Sequence, residues 1–147
     1  MKRFSFRLDS ILRYKSHLEK MAQRDLFKAM NRVIEIEKTI KGLGEKRIET
    51  ARECSDEGFK GMNVPEYQMY RSFLQKLEHD LERSHIRLKE GEEKVKAKKA
   101  ALRRASIKKK TLEVLKDLRH KEYMTRLERE EQKVMDELVL MRKGGRT

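Results

Sequence analysis

Apolar residues in this chain recur at alternating steps of three and four. In the first half the series runs Leu8, Ile11, Leu18, Ala22, Leu26, Ala29, Val33, Ile36, Ile40 and Leu43. In the second it runs Tyr67, Tyr70, Leu74, Leu77, Leu81, Ser84, Leu88, Gly91, Val95, Lys98, Leu102 and Ala105. Such spacing puts one apolar stripe on a helix, facing a partner helix. Two irregularities stand out. Lys15 occupies a stripe position, and the steps from Leu18 to Ala22 to Leu26 form a stutter, which locally unwinds a supercoil. Beyond Ala105 the stripe drifts through Leu112, Leu115 and Leu118. It returns in a new phase as Leu127, Val134, Leu138 and Met141.

Between the halves lies Gly58-Phe59-Lys60-Gly61-Met62-Asn63-Val64-Pro65-Glu66. Gly58 suits a left-handed helix cap. Asn63 and Glu66 have capping-box spacing, and Pro65 is tolerated in a first helical turn. Asp9 or Ser10 suits an N-cap for the first helix. A short connection makes two long helices antiparallel neighbours. The expected fold is therefore all-α: an antiparallel two-helix coiled-coil hairpin with a longer C-terminal helix. As a single domain over 1–147 it would have a helix at about 5–57, a turn at about 58–64, a helix at about 65–142 and a flexible tail at 143–147. Gly42, Gly44 and Gly91 are the expected places for a kink. A turn near residue 61 pairs residues 5–57 with about 65–117 and leaves residues 118–142 without a partner in the chain.

Composition agrees with a narrow seam. Charged residues make up 43% of the 147 positions and apolar ones 37%, with one Pro and no Trp. That is too little apolar matter for a thick core, but a two-helix seam needs only about two positions in seven. Disorder competes as a reading of so polar a chain, yet disorder requires no periodicity. Cys54 is alone, so no internal disulfide forms and a reducing compartment is expected. The basic start has no apolar run behind it, unlike a signal peptide. Nothing approaches the ~20 apolar residues of a membrane span.

Catalytic signatures are missing. Neither Gly42-Leu43-Gly44 nor Gly58 to Gly61 has the form of a phosphate-binding loop. Glu82 with His85, and Asp117 with His120, have the spacing of di-iron ligands. On one helix, however, the two histidines lie roughly 50 Å apart, so solvated surface histidine is the favoured reading. A two-helix protein offers Cys54 no concave site with a base. A non-enzymatic protein without cofactor or metal is expected.

Three features point to partners. The net charge is +13, and residues 94–112 hold nine basic side chains and no acidic one: Lys94, Lys96, Lys98, Lys99, Arg103, Arg104, Lys108, Lys109 and Lys110. Such a run is either a solvated face or an electrostatic contact. It is not a basic-zipper motif, because Arg119 takes the next zipper position and the required Asn is missing. Phe59, Tyr67, Tyr70 and Phe73 cluster near the turn, where they either close the hairpin or present a binding edge. The apolar stripe on the unpaired end of the second helix requires either a partner or self-association.

Phe4-x-Phe6-x-Leu8, followed by Ile11-Leu12-x-Tyr14, resembles the start of the bacterial flagellar export protein family FliJ. Tyr70-x-x-Phe73-Leu74-x-x-Leu77-Glu78 resembles the opening of that family's second helix. Length, helix proportions and basic, Pro-poor composition extend the resemblance over nearly the whole chain. The resemblance implies a coiled coil similar to the central stalk of rotary ATPases. Such a protein inserts into a hexameric flagellar export ATPase and promotes its assembly and activity. It also contacts the cytoplasmic domain of the export gate and escorts export chaperones. Its place would be cytoplasmic, peripheral to the inner membrane at the flagellar base.

Tyr70, Phe73 and Leu77 match the region associated with gate binding. Asp80 and Ser84 stand where a small residue and a His often follow, and Lys46 where an aromatic is often seen. Phe4, Phe6, Leu127, Val134, Leu138 and Met141 are the residues expected to enter the ATPase ring. The alternatives are a basic coiled coil binding nucleic acid or anionic membrane through 94–112, nucleic acid being the less expected partner, and the equivalent stalk protein of a virulence secretion system.

Overall fold

The computed structural model describes residues 2–145. Two helices, α1 (Asp9–Lys60) and α2 (Val64–Gly144), pack against each other, and the described residues contain no strand. The chain forms two compact units. The turn unit is Ala22–Leu102, and the terminal unit combines Met1–Met21 with Arg103–Thr147.

In the turn unit the reversal is three residues long. Gly61, not Gly58, adopts the left-handed conformation, with φ 97°; the chain turns most sharply there, and only glycine does so without strain. Gly58 stays helical, and its carbonyl accepts the Gly61 N–H at 3.3 Å. Asn63 caps α2: its side-chain oxygen accepts the Glu66 N–H at 3.0 Å, and its carbonyl accepts the Tyr67 N–H at 3.2 Å. Moving the turn from 58–64 to Gly61–Asn63 shifts the pairing by about one helical turn. Arg47 thus meets Glu78 at 3.4 Å rather than residue 75.

The seam of the turn unit shrinks away from the turn. Leu77, Ser84 and Gly91, one heptad apart, are the buried residues of α2. Gly91 is a point of close approach. A Cβ there would lie 3.2 Å from Val33 Cγ2 and 3.6 Å from Ile36 Cδ1. Gly42 and Gly44 lie within the unbroken α1 with open space around them. A large side chain at 91 must push the helices apart. Gly91→Leu is expected to destabilise by about 1–2 kcal/mol, overpacking outweighing the gain in helix propensity. Gly91→Ala should leave stability near wild type, because Val33 need yield only slightly. Thermal unfolding followed by circular dichroism distinguishes the two.

In the terminal unit α1 begins at Asp9, later than the expected residue 5, and the Leu8 carbonyl accepts the first helical N–H, from Leu12, at 2.9 Å. Asp9 is thus the first helical residue rather than the cap. The seam passes through Leu12, which is buried, while Ile11 is 44% exposed. From Leu8 it continues through Leu12, Lys15, Glu19 and Ala22 in steps of four, three, four and three. Leu18 and Glu19 are both half-buried, so a charged residue stands in the seam beside the expected apolar one. On α2 the stripe after Ala105 runs through Lys109, Leu112, Leu115, Lys116 and Tyr123, all half-buried, while Leu118 is exposed. The lysines meet acids across the seam. Lys109 Nζ lies 3.3 Å from Glu19, and Lys116 Nζ lies 3.1 Å from Asp9. The first pair is the better shielded, but desolvation offsets its stronger attraction, so each is on the order of 0–1 kcal/mol. Both fix the register, since a slip of one residue would leave a lysine in the seam unpaired.

Helix α2 continues to Gly144, so residues 143 and 144 of the expected tail are helical. Residues 146 and 147 lie outside the described residues.

Candidate functional site

Beside the turn, α1 and α2 of the turn unit flank a groove of about 680 Å³. Its apolar wall is Met69, Tyr70 and Phe73, on successive turns of α2. Its rim is acidic: Glu49, Glu53 and Glu57 from α1, and Glu66 from the first turn of α2. The i, i+4 spacing of the three α1 glutamates stacks them on one face. Lys46 closes the far end, its Nζ 5.4 Å from the Phe73 ring centroid, within cation–π reach. Partial burial first, then the charges of Glu53 and Glu57 with Cys54 and Glu66 behind them, raises the Tyr70 phenol above its ordinary value of 10.0. The phenol stays protonated at neutral pH and offers a hydrogen-bond donor beside an apolar surface. Phe59 is 91% exposed and lies outside this groove.

The terminal unit carries a second site. Residues 2–8 are not helical, yet they follow α2. The Phe4 ring stands edge-on to His120, centroids 5.0 Å apart, and tilts against Tyr123 at 5.5 Å. The Tyr123 hydroxyl donates to the Lys2 carbonyl at 2.8 Å. Phe4, Phe6 and Leu8 are half-buried. Around them a groove of about 770 Å³ carries the cations Lys2, Arg3, Arg7, Arg119 and Arg126. This contact covers α2 as far as Tyr123, and Leu127 is half-buried, so the bare end starts at residue 128 rather than 118. From there to residue 145 every residue is exposed, including Val134 at 55%, Leu138 at 54% and Met141 at 74%.

The sequence matches the family described as "Flagellar FliJ protein" over residues 4–146. The chain belongs to the FliJ family. Neither a curated protein nor a solved structure matches it. FliJ membership makes it a component of flagellar protein export. Among the described residues no helix is long and apolar enough to cross a membrane. Nor do three or more His, Cys, Asp or Glu side chains come together among them as a metal site.

Against FliJ expectations the site residues divide. Tyr70 and Phe73 share the acidic groove, with Phe73 37% exposed. Leu77 does not join them: it is 4% exposed and belongs to the seam. Phe4 and Phe6 lie on α2, while Val134, Leu138 and Met141 stand free beyond them. Of the nine basic residues, among the described residues only Lys109 is ion-paired. Lys94, Lys96, Lys98 and Lys99 are exposed in the turn unit, and Arg103, Arg104, Lys108 and Lys110 are exposed in the terminal unit. Sequence reasoning missed Met69 and the glutamate rim. The signal was present in the four-residue spacing of Glu49, Glu53 and Glu57.

Proposed function

We propose that this FliJ-family chain is a non-enzymatic stalk of flagellar type III export, inserting its free helical end into the hexameric export ATPase. It acts from the cytoplasmic side, peripheral to the membrane. The observation that carries this reading is the exposed apolar end of α2, where Val134, Leu138 and Met141 share one face with none of the described residues covering it. An isolated helical end of this length is marginal in water, and packing inside a protein ring would stabilise it. The Phe4 contact with His120 and Tyr123 supports the base of that end, and the cations beside Phe4 and Phe6 suit acidic partner surface. The groove at the turn, with Tyr70 and Phe73, is the face proposed for the export gate. The same reading has the chain escort export chaperones.

The test is ATP hydrolysis by the cognate export ATPase alone, with the full chain, and with a chain ending at residue 127. The cut at 127 keeps the Phe4–Tyr123 contact, which a cut at 117 would destroy. Stimulation by the full chain and none by the shortened one is expected, with the two chains binding the gate domain equally. Equal stimulation by both would remove the free end from the ATPase contact.

A further inference from the structure

Helix α2 carries a second apolar row in the terminal unit, separate from its seam. Ile107, Val114 and Leu118 are 56%, 50% and 52% exposed, and Thr111 is exposed between them. The steps 107 to 111 to 114 to 118 are four, three and four, the spacing of a helix–helix seam. The inner seam of the same stretch is already filled by Ala105, Lys109, Leu112 and Lys116. The outer row therefore has no partner among the described residues of the terminal unit. Thr111 suits such a row, because its hydroxyl is satisfied within the helix, donating to the Ile107 carbonyl at 2.8 Å. Burying it leaves no donor unmade.

The flanks of the row say what would cover it. By helical position Arg103, Lys110 and Asp117 lie along one edge, and Arg104 and Lys108 along the other, so cations outnumber the single carboxylate on the flanks. All four cations are exposed, and among the described residues none has an ion-pair partner. Arg104 and Lys108 stand four residues apart, a like-charge spacing that destabilises a helix unless an opposite charge is brought in. Edge cations beside a narrow apolar row occupy the place of the e and g positions that select a coiled-coil partner. The apolar strip is one side chain wide and carries no aromatic residue, unlike the broad Trp- or Phe-bearing faces of helices that lie in lipid.

We infer that residues 103–118 of α2 form a docking face for a third helix, amphipathic and acidic, supplied by another protein. Its apolar positions would interdigitate with Ile107, Thr111, Val114 and Leu118, and its flanking carboxylates would meet Arg103, Arg104, Lys108 and Lys110. This contact is independent of the free end beyond residue 128.

The probe is a synthetic coiled-coil peptide with Leu and Ile at a and d and Glu at e and g, fluorescently labelled and titrated with the full chain. Saturable binding is expected in low salt, with a gain of peptide helicity. Affinity should fall about tenfold or more when salt shortens the Debye length to a few ångströms. The double variant Ile107→Glu with Val114→Glu alters only exposed positions and should keep the wild-type circular dichroism spectrum. It is expected to lose about tenfold or more in affinity, since it places carboxylates against carboxylates. Neutralising Arg103, Arg104, Lys108 and Lys110 to Gln should weaken binding comparably, and a peptide with Lys in place of Glu should not bind. The inference is overturned if the Glu peptide fails to bind, or if it binds the Ile107→Glu, Val114→Glu chain as well as wild type. It is equally overturned if phosphatidylserine vesicles or duplex oligonucleotide bind this face while the peptide does not.

Discussion

Leu77→Ala is expected to lower the unfolding free energy by about 2–3 kcal/mol, among the largest losses any single truncation to alanine causes here. The reason is how little of this protein is fully buried. Leu12 and Leu77 are its buried apolar side chains among the described residues, and Leu77, at 4% exposure, is the deeper. Other seam residues, such as Leu74 and Leu81, are half-buried. Truncating those removes fewer contacts and opens a gap that water already reaches. At Leu77 the gap is closed off, so the lost transfer energy and the cavity term add. Urea unfolding followed by circular dichroism measures the difference. A smaller loss for Leu77→Ala than for Leu74→Ala would show that the seam is not centred where the structure puts it.

Tyr70→Ala combined with Phe73→Ala is expected to weaken binding to the cytoplasmic domain of the export gate by roughly thirtyfold. That fold-change corresponds to about 2 kcal/mol, the scale of an aromatic interface anchor. The two rings supply most of the apolar wall of the acidic groove, yet both keep solvent contact, so the double variant should lose less stability than Leu77→Ala. Glu53→Gln with Glu57→Gln should weaken the same complex more in low salt than in high salt, because exposed carboxylates act through a screened field. Unchanged affinity after loss of both rings would remove the gate from this groove. Weakening by Leu77→Ala alone would carry no such meaning, because that variant acts through the seam.

The contrast between Tyr70 and Leu77 shows where a linear motif misleads. Seven residues apart on a helix, they fall near one face, and both fit an apolar interaction motif. Leu77 is buried in the seam, whereas Tyr70 lines the groove. Spacing along one helix does not report what the other helix places opposite. The seam of the terminal unit differs in another way. Half-buried charged residues, Glu19, Lys109 and Lys116, stand in it beside the apolar ones, held by the pairs Lys109–Glu19 and Lys116–Asp9. Leu118, 52% exposed, falls outside it.

The sequence alone determined the fold class, because apolar residues spaced by three and four on so polar a chain leave a paired-helix seam as their one economical burial. It also determined the Asn63 cap and, through the Phe-x-Phe opening, the family. Tertiary structure decided the rest. Gly61 rather than Gly58 takes the left-handed conformation, and that choice sets the register of every cross-helix pair. The bare end is shortened by residues 2–8, whose packing on His120 and Tyr123 carries no helical period and so left no pattern to read. That Gly91 serves close approach was not legible, because what a missing side chain does depends on which methyl groups stand opposite, and those belong to another stretch of the chain.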